Sequence, residues 1–300
     1  MAIPDFQSIM LPLLKFSSNQ REYTTREAIE ALANMFSLSQ EERGELLPSG
    51  QESRFDNRVG WARTYLKQAG LLEYPKRGYV RITTRGLALL KQNPSLINMK
   101  SLEQFPEYIE FKRRTKERTS NNDPEIISEQ TPKEALEANY QSLRAALAQE
   151  LIDAIRQSSP SFFERLVVEL LVKMGYGGSL KDAGQVVGRS GDEGIDGVIK
   201  EDKLGLDVIY VQAKRWEKPV GRPDIQKFVG ALVGQGAKKG IFITNSTFST
   251  EARNYVARIE SRIVLIDGEQ LAQLMIDYNV GVSSDVVFEL KKIDSSFFTE

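Results

Sequence analysis

The chain has 300 residues, 41% of them hydrophobic and 27% charged, an ordinary globular composition with room for two domains. It contains no cysteine and no histidine, which excludes disulfides, thiol catalysis, zinc fingers, histidine-ligated metal chemistry and Ser-His-Asp hydrolysis, and leaves carboxylate, amide and lysine as tools. The net charge of −1 means that any footprint for a polyanion must be local.

No run approaches the ~20 apolar residues of a membrane span. The start Met1-Ala2-Ile3-Pro4-Asp5 has no basic segment leading into an apolar one, so the expectation is a cytoplasmic protein with no membrane partner.

Residues 1–95 read as a helical domain with a hairpin. Phe6, Ile9, Met10, Leu13 and Leu14 share one helix face, Thr25 to Phe36 gives a second helix, and Ser39 to Leu47 a short third. From Arg54 to Ala69, the residues Phe55, Val59, Ala62, Leu66 and Ala69 form a stripe at about 100° per residue. Asn57, Thr64 and Gln68 fall opposite, flanked by Arg54 and Arg58. Trp61 and Tyr65 sit at the margin of the stripe, where packing on a neighbouring helix is expected. Gly70 stops this helix, two short strands, Leu71 to Tyr74 and Gly78 to Ile82, enclose Pro75-Lys76-Arg77, and Thr84 to Gln92 forms a closing helix.

Helices followed by a basic-tipped hairpin resemble a winged helix, in which one helix enters the major groove and the wing touches phosphate. That resemblance makes Asn57, Thr64 and Gln68 candidates for base contacts, and Arg54, Arg58, Lys76 and Arg77 for phosphate contacts. Simple solvation of a polar helix face accounts for the same pattern.

Asn93-Pro94 ends this domain, and residues 96–132 have the polar and proline content of a linker, including the basic run Lys112-Arg113-Arg114-Thr115-Lys116. Residues 133–157 resume as a connecting helix, with Ala135, Leu136, Leu143, Leu147, Leu151 and Ile155 on overlapping faces. It is expected to pack on the next domain or to pair with its copy in another subunit.

Residues 158–285 carry the chemistry. Ser159 suits a helix N-cap, Pro160 the first helical position and Gly175 the end. Phe163, Val167, Leu171 and Met174 fall on one side; Glu164 lands between Leu171 and Val168, whereas Glu169 faces water. An acid inside an apolar stripe is costly unless something charged meets it, so Glu164 is preferred as a site member.

Gly194-Ile195-Asp196-Gly197-Val198-Ile199 leads to a strand, Val208 to Lys214, in which Gln212 and Lys214 point one way and Ala213 the other. Asp196 would supply an anionic oxygen, and Gln212 and the Ala213 carbonyl neutral oxygens, to Mg²⁺, with Mn²⁺ as a substitute. Lys214 would orient or activate the attacking water. A turn at Gly194-Ile195-Asp196-Gly197 and an edge strand meeting solvent give the same residues a purely structural meaning, and Asp192 reads as an auxiliary ligand or a turn residue. Helices at Pro223 to Val233, Ser249 to Ile259 and Gly268 to Tyr278 alternate with strands at Gly240 to Thr244 and Arg262 to Ile266. The fold class is therefore α/β, a mixed β-sheet flanked by helices and preceded by a mainly α winged-helix domain, with residues 286–300 as a tail.

Phe162-Phe163-Glu164-Arg165-Leu166-Val167, Met174-Gly175-Tyr176, Gly191 to Gly197, Gln212-Ala213-Lys214-Arg215-Trp216, Phe228 to Leu232 and Ile241 to Thr244 resemble the Mrr family of restriction endonucleases in order and spacing. Helix with Glu, strand with Asp and strand with Gln-x-Lys resembles the wider restriction-endonuclease-like superfamily, in its variant where Gln replaces an acid. The resemblance covers roughly residues 158–280, with weaker similarity over roughly 1–95. It implies a type IV enzyme cutting methylated double-stranded DNA, working as a homodimer or homotetramer because one site cuts one strand.

Asp196, Gln212 and Lys214 carry over directly; Glu164 occupies a position whose role varies. The loop from Lys181 to Arg189 is a further candidate DNA contact. A nuclease for junctions or damaged DNA, and a DNA-binding regulator with an inactive nuclease domain, remain as alternatives. Retention of Asp196, Gln212 and Lys214 together argues against the inactive form.

Overall fold

The computed structural model describes residues 2–118, 129–177, 195–201 and 206–291, together with 293 and 297. It divides into two compact units, Met1–Ser142 with Lys291–Glu300, and Leu143–Leu290.

In the first unit the elements run α1 (Phe6–Phe16), β1 (Tyr23–Thr24), α2 (Thr25–Met35), α3 (Gln40–Gly44), α4 (Arg54–Gln68), β2 (Leu72–Glu73), β3 (Tyr79–Ile82), α5 (Thr84–Lys91), α6 (Met99–Leu102) and α7 (Pro106–Arg118). Helix starts are fixed by side chains: Asp5 accepts from the Gln7 and Ser8 amides, and Thr24 and Glu27 form a reciprocal capping box. Gly70, at φ +68°, ends α4 in the left-handed conformation. The three strands lie in the order β1-β3-β2, all antiparallel. The core is the predicted stripe of α4 packed on the predicted face of α1. Tyr65 packs on Phe6 and Trp61 at ring separations of 5.4 and 5.8 Å, so these aromatics serve the core.

The segment expected to be a linker is a correction. Its residues 96–118 form α6 and α7, and Ile97, Leu102 and Tyr108 are buried in the same core. Burying Ile97, Leu102 and Tyr108 stabilises by about 1.5–3 kcal/mol per side chain, and Met99, Phe105 and Phe111 pack against the same core.

Helix α8 (Pro132–Gln157) carries the chain across the boundary between the units, which falls within it. The second unit continues with α9 (Pro160–Lys173), β4 (Gly197–Lys200), β5 (Val208–Lys214), α10 (Arg222–Gly234), β6 (Lys239–Thr244), α11 (Thr250–Val256), β7 (Arg262–Ile266) and α12 (Gly268–Asp277). The sheet order is β4-β5-β6-β7, with β4 antiparallel to β5 and the other pairs parallel. This is the mixed sheet the sequence predicts.

The period of two divides the sheet between two cores. Ile209, Val211, Ala213, Ile241 and Ile243 join α9, α12 and the second half of α8. Tyr210 and Phe242 face α10 and α11. Gly240 lets α10 approach this second face, since a Cβ there would stand 2.8 Å from Leu232 Cδ1 and Phe228 Cζ. Among the described residues, no helix is long and apolar enough to cross a membrane.

Candidate active site

Ser159 caps α9 by accepting from the Phe162 amide, and Pro160 opens the helix, as the sequence implies. The helix buries Phe163, Leu166, Val167, Leu170 and Leu171, leaving Glu164 half-buried and Glu169 exposed. Glu164 lines a cavity of about 10 Å³ with Asp196, Ala213, Val167 and Leu171, room for about one water.

Asp196 stands just before β4. Its amide donates to the Val211 carbonyl at 2.9 Å, and its Oδ2 accepts from the Ala213 amide at 2.8 Å. The carboxylate thus takes over a backbone donor of β5 and is held at the middle residue of Gln212-Ala213-Lys214. One carboxylate oxygen is engaged in this way, which leaves the other for a ligand.

Gln212 and Lys214 project from β5 on the face opposite Val211 and Ala213, toward the α10 and α11 side. Glu164 and Gln212 therefore approach β5 from different faces. Gln212 is 4% exposed, and among the described residues its amide has no hydrogen-bond partner in the protein. Lys214 is half-buried and, among the described residues, makes no ion pair. No group of three or more acidic side chains gathers among the described residues. The donors at hand are the carboxylates of Glu164 and Asp196, with the neutral oxygen of Gln212 on the other face of the strand.

Two neighbours that the sequence reading missed hold the end of β5. Thr244 Oγ1 donates to the Lys214 carbonyl at 2.7 Å, and Asn245 Oδ1 accepts from the Trp216 amide at 2.8 Å. Both side chains are buried. A polar Thr-Asn pair closing the apolar run Ile241-Phe242-Ile243 was the available signal, because a buried polar side chain must find a partner.

The expected DNA face of the first unit is only partly open. Asn57 is 5% exposed: its Nδ2 donates to Glu52 at 3.0 Å and its Oδ1 accepts from Thr131 Oγ1 at 2.6 Å. Arg58 donates to Glu134 at 2.9 Å and to the Ile3 and Pro4 carbonyls at 2.7 and 3.1 Å. Arg54 pairs with Glu45 at 2.7 Å. Asn57 is thus buried, and Arg58 half-buried and ion-paired, because the start of α8 covers the face of α4 that periodicity leaves polar. Thr64, half-buried, donates to the Gly60 carbonyl of its own helix at 3.0 Å, and Gln68 is half-buried.

The hairpin tip is exposed at Lys76 and Arg77. Lys76 lies 3.0 Å from Glu22 and 4.0 Å above the Tyr79 ring, and the hydrogen bond it donates to Glu22 raises its pKa above the ordinary lysine value. Lys181, Arg189 and Asp192 lie outside the described residues.

Comparison with known proteins bears on both units. A family model described as "Restriction endonuclease" matches residues 155–275, and one described as "Mrr N-terminal domain" matches residues 6–92. The chain is 38% identical over 312 aligned positions to the type IV methyl-directed restriction enzyme EcoKMrr of Escherichia coli (strain K12), covering 99% of this chain and 100% of the relative. Among solved structures, the DNA modification-dependent restriction endonuclease AspBHI matches with a TM-score of 0.37 and 17% identity over 46% of this chain and 36% of that one. The MspJI restriction endonuclease, solved with a 27-mer oligonucleotide, matches with a TM-score of 0.30 and 24% identity over 51% of this chain and 34% of that one. The paired family matches and the full-length relative place this chain in the Mrr family of restriction endonucleases.

Proposed function

We propose that this chain is a Mg²⁺-dependent endonuclease that cuts double-stranded DNA carrying methylated bases. The observation that carries the chemistry is the Asp196 carboxylate tied to the Ala213 amide on the strand that ends in Lys214. The methyl preference rests on the relationship to a methyl-directed enzyme.

Restriction endonucleases of this family generally use a divalent metal ion. The donor set fits Mg²⁺ or Mn²⁺ in kind, since every oxygen is hard: the second oxygen of Asp196 and the Gln212 amide, both unpartnered among the described residues, and the Ala213 carbonyl. A bound ion would stabilise charge on the phosphoryl oxygens. Lys214, without a competing carboxylate among the described residues, donates to the oxygen on which charge develops and orients the water that attacks phosphorus in line with the leaving oxygen. Glu164, which shares a cavity with Asp196 and Ala213, adds negative charge there and acts as an auxiliary group.

The first unit is read as the DNA-recognition domain, with Lys76 and Arg77 on phosphate and Thr64 and Gln68 near the bases. One site hydrolyses one strand, so double-strand cleavage calls for a homodimer or homotetramer, acting in the cytoplasm. Matched methylated and unmethylated plasmids, incubated with Mg²⁺ or with a chelator, test the reading. Cleavage of the methylated plasmid alone, abolished by chelation, is the expected result; equal cleavage of both plasmids would remove the methyl preference, and cleavage under chelation the metal.

A further inference from the structure

We propose that the cleft beside Lys214 seats the DNA strand next to the scissile phosphate, with the indole of Trp216 stacked on a nucleotide and Arg156 and Lys218 holding its phosphates. This rests on the endonuclease reading and adds a substrate-positioning surface to it. The cleft, about 840 Å³, is lined by the chain that follows the catalytic strand, Arg215 to Pro219, together with Arg156 and Asn245. That volume lies in the roughly 300–1,000 Å³ range of ligand clefts.

Its charge suits a polyanion. Arg156, Arg215 and Lys218 face one acid of the lining, Glu217. Arg215 donates to the Arg156 carbonyl at 2.7 Å, in the last turn of α8, and among the described residues its buried Nε has no partner and its positive charge no counterion at the wall. Arg156 pairs with Asp153 at 3.1 Å through side chains that are both half-exposed, a contact weak enough for a phosphate to displace.

Trp216 is 38% exposed although its backbone is locked: the buried Asn245 holds its amide, and Thr244 holds the carbonyl of Lys214 two residues earlier. A rigidly presented indole two residues from the catalytic lysine is a ready stacking platform, and every base offers a π-face.

Trp61 and Trp216 are the two tryptophans of the chain. Full-length Trp61→Phe protein, kept metal-free and titrated with a methylated duplex oligonucleotide, therefore reports on Trp216 alone. Quenching that follows binding, measured in parallel by anisotropy of labelled DNA, is expected. In Mg²⁺, Trp216→Ala should lower kcat/KM by about 5- to 150-fold, the loss of one stacked base, and Trp216→Tyr should recover most of it.

Binding without a change in Trp216 emission, or parental cleavage by Trp216→Ala, would overturn the proposal. So would a shift in oligomeric state with unchanged DNA contact, which would make the cleft a subunit interface. Should Trp216→Ala fail to fold, the fluorescence titration and the Trp216→Tyr rates decide. A parent that binds DNA with quenching but never cleaves it removes the endonuclease reading and leaves the seat in place.

Discussion

Replacing Asp196 by Ala and by Asn separates two roles that the structure assigns to one side chain. Oδ2 accepts from the Ala213 amide at 2.8 Å in a half-buried position. A hydrogen bond to a charged group contributes about 1.5–3 kcal/mol, and a neutral one about 1 kcal/mol. Partial exposure keeps the Asp196 bond near the lower end. Asp196→Asn can still accept from Ala213, so it should cost about 0.5–1 kcal/mol. Asp196→Ala leaves the amide unpaired and should cost about 1.5–3 kcal/mol. At about 2–4 °C per kcal/mol for a body of this size, the Ala variant should melt roughly 3–12 °C below the parent and the Asn variant only about 1–4 °C below. Thermal denaturation of the full chain, followed by circular dichroism, measures this. Plasmid cleavage should disappear in both variants, because each removes the anionic oxygen. Equal melting of the two variants would refute the hydrogen-bond argument; near-parental cleavage by Asp196→Asn would remove Asp196 from the site.

At Gln212, Gln212→Glu should keep metal binding and part of the activity, whereas Gln212→Leu should lose both; equal cleavage by the two would show that residue 212 supplies no ligand. Asn57→Ala should destabilise the first unit by about 1–3 kcal/mol, through the Thr131 hydroxyl left without its acceptor and the bond lost to Glu52, which keeps Lys133, without relaxing site discrimination. Denaturant unfolding and cleavage of variant sites read the two effects, and relaxed discrimination at full stability would restore Asn57 as a base reader. Lys76→Ala combined with Arg77→Ala should weaken binding to all sequences alike and reduce the salt slope by about 1.8, two phosphate contacts at about 0.9 each; an unchanged slope would take the wing off the DNA. Burial pushes the Tyr65 and Tyr74 phenols above the usual value, so in the folded state they stay protonated where the unfolded chain already ionises. Stability should accordingly fall as pH rises from about 10 toward the raised pKa. Tyr74→Phe should soften that fall in a pH series of melting temperatures, and an unchanged series would exclude Tyr74 as a source.

Much of the second unit was legible because its signals are local. Ser159 and Pro160 mark a helix start by capping chemistry, and the alternation in Val208 to Lys214 fixes which side chains share a face whatever surrounds them. Asp196 was legible as a residue, but the tie from its carboxylate to Ala213 depends on a cross-strand register that no single segment encodes. Asn57 shows the limit most clearly. Periodicity places it away from the stripe of α4, and only the fold brings the start of α8 over that side and turns a polar face into an interior one. Strand β1, two residues long, has no period to read, and α6 and α7 hide their anchors among charges.

The clamp on Lys214 has a consequence for motion. Thr244 belongs to β6, which is paired on both sides in the sheet, so the backbone around Lys214 can swing away only if that part of the sheet opens. Opening of a doubly paired strand is among the rarest fluctuations of a native fold, and amides there exchange with solvent close to the rate of global unfolding. The lysine's anchor should then belong to the slowest-exchanging part of the unit while its ammonium remains free to turn, so that any ligand of the ammonium meets a backbone that does not rearrange to receive it.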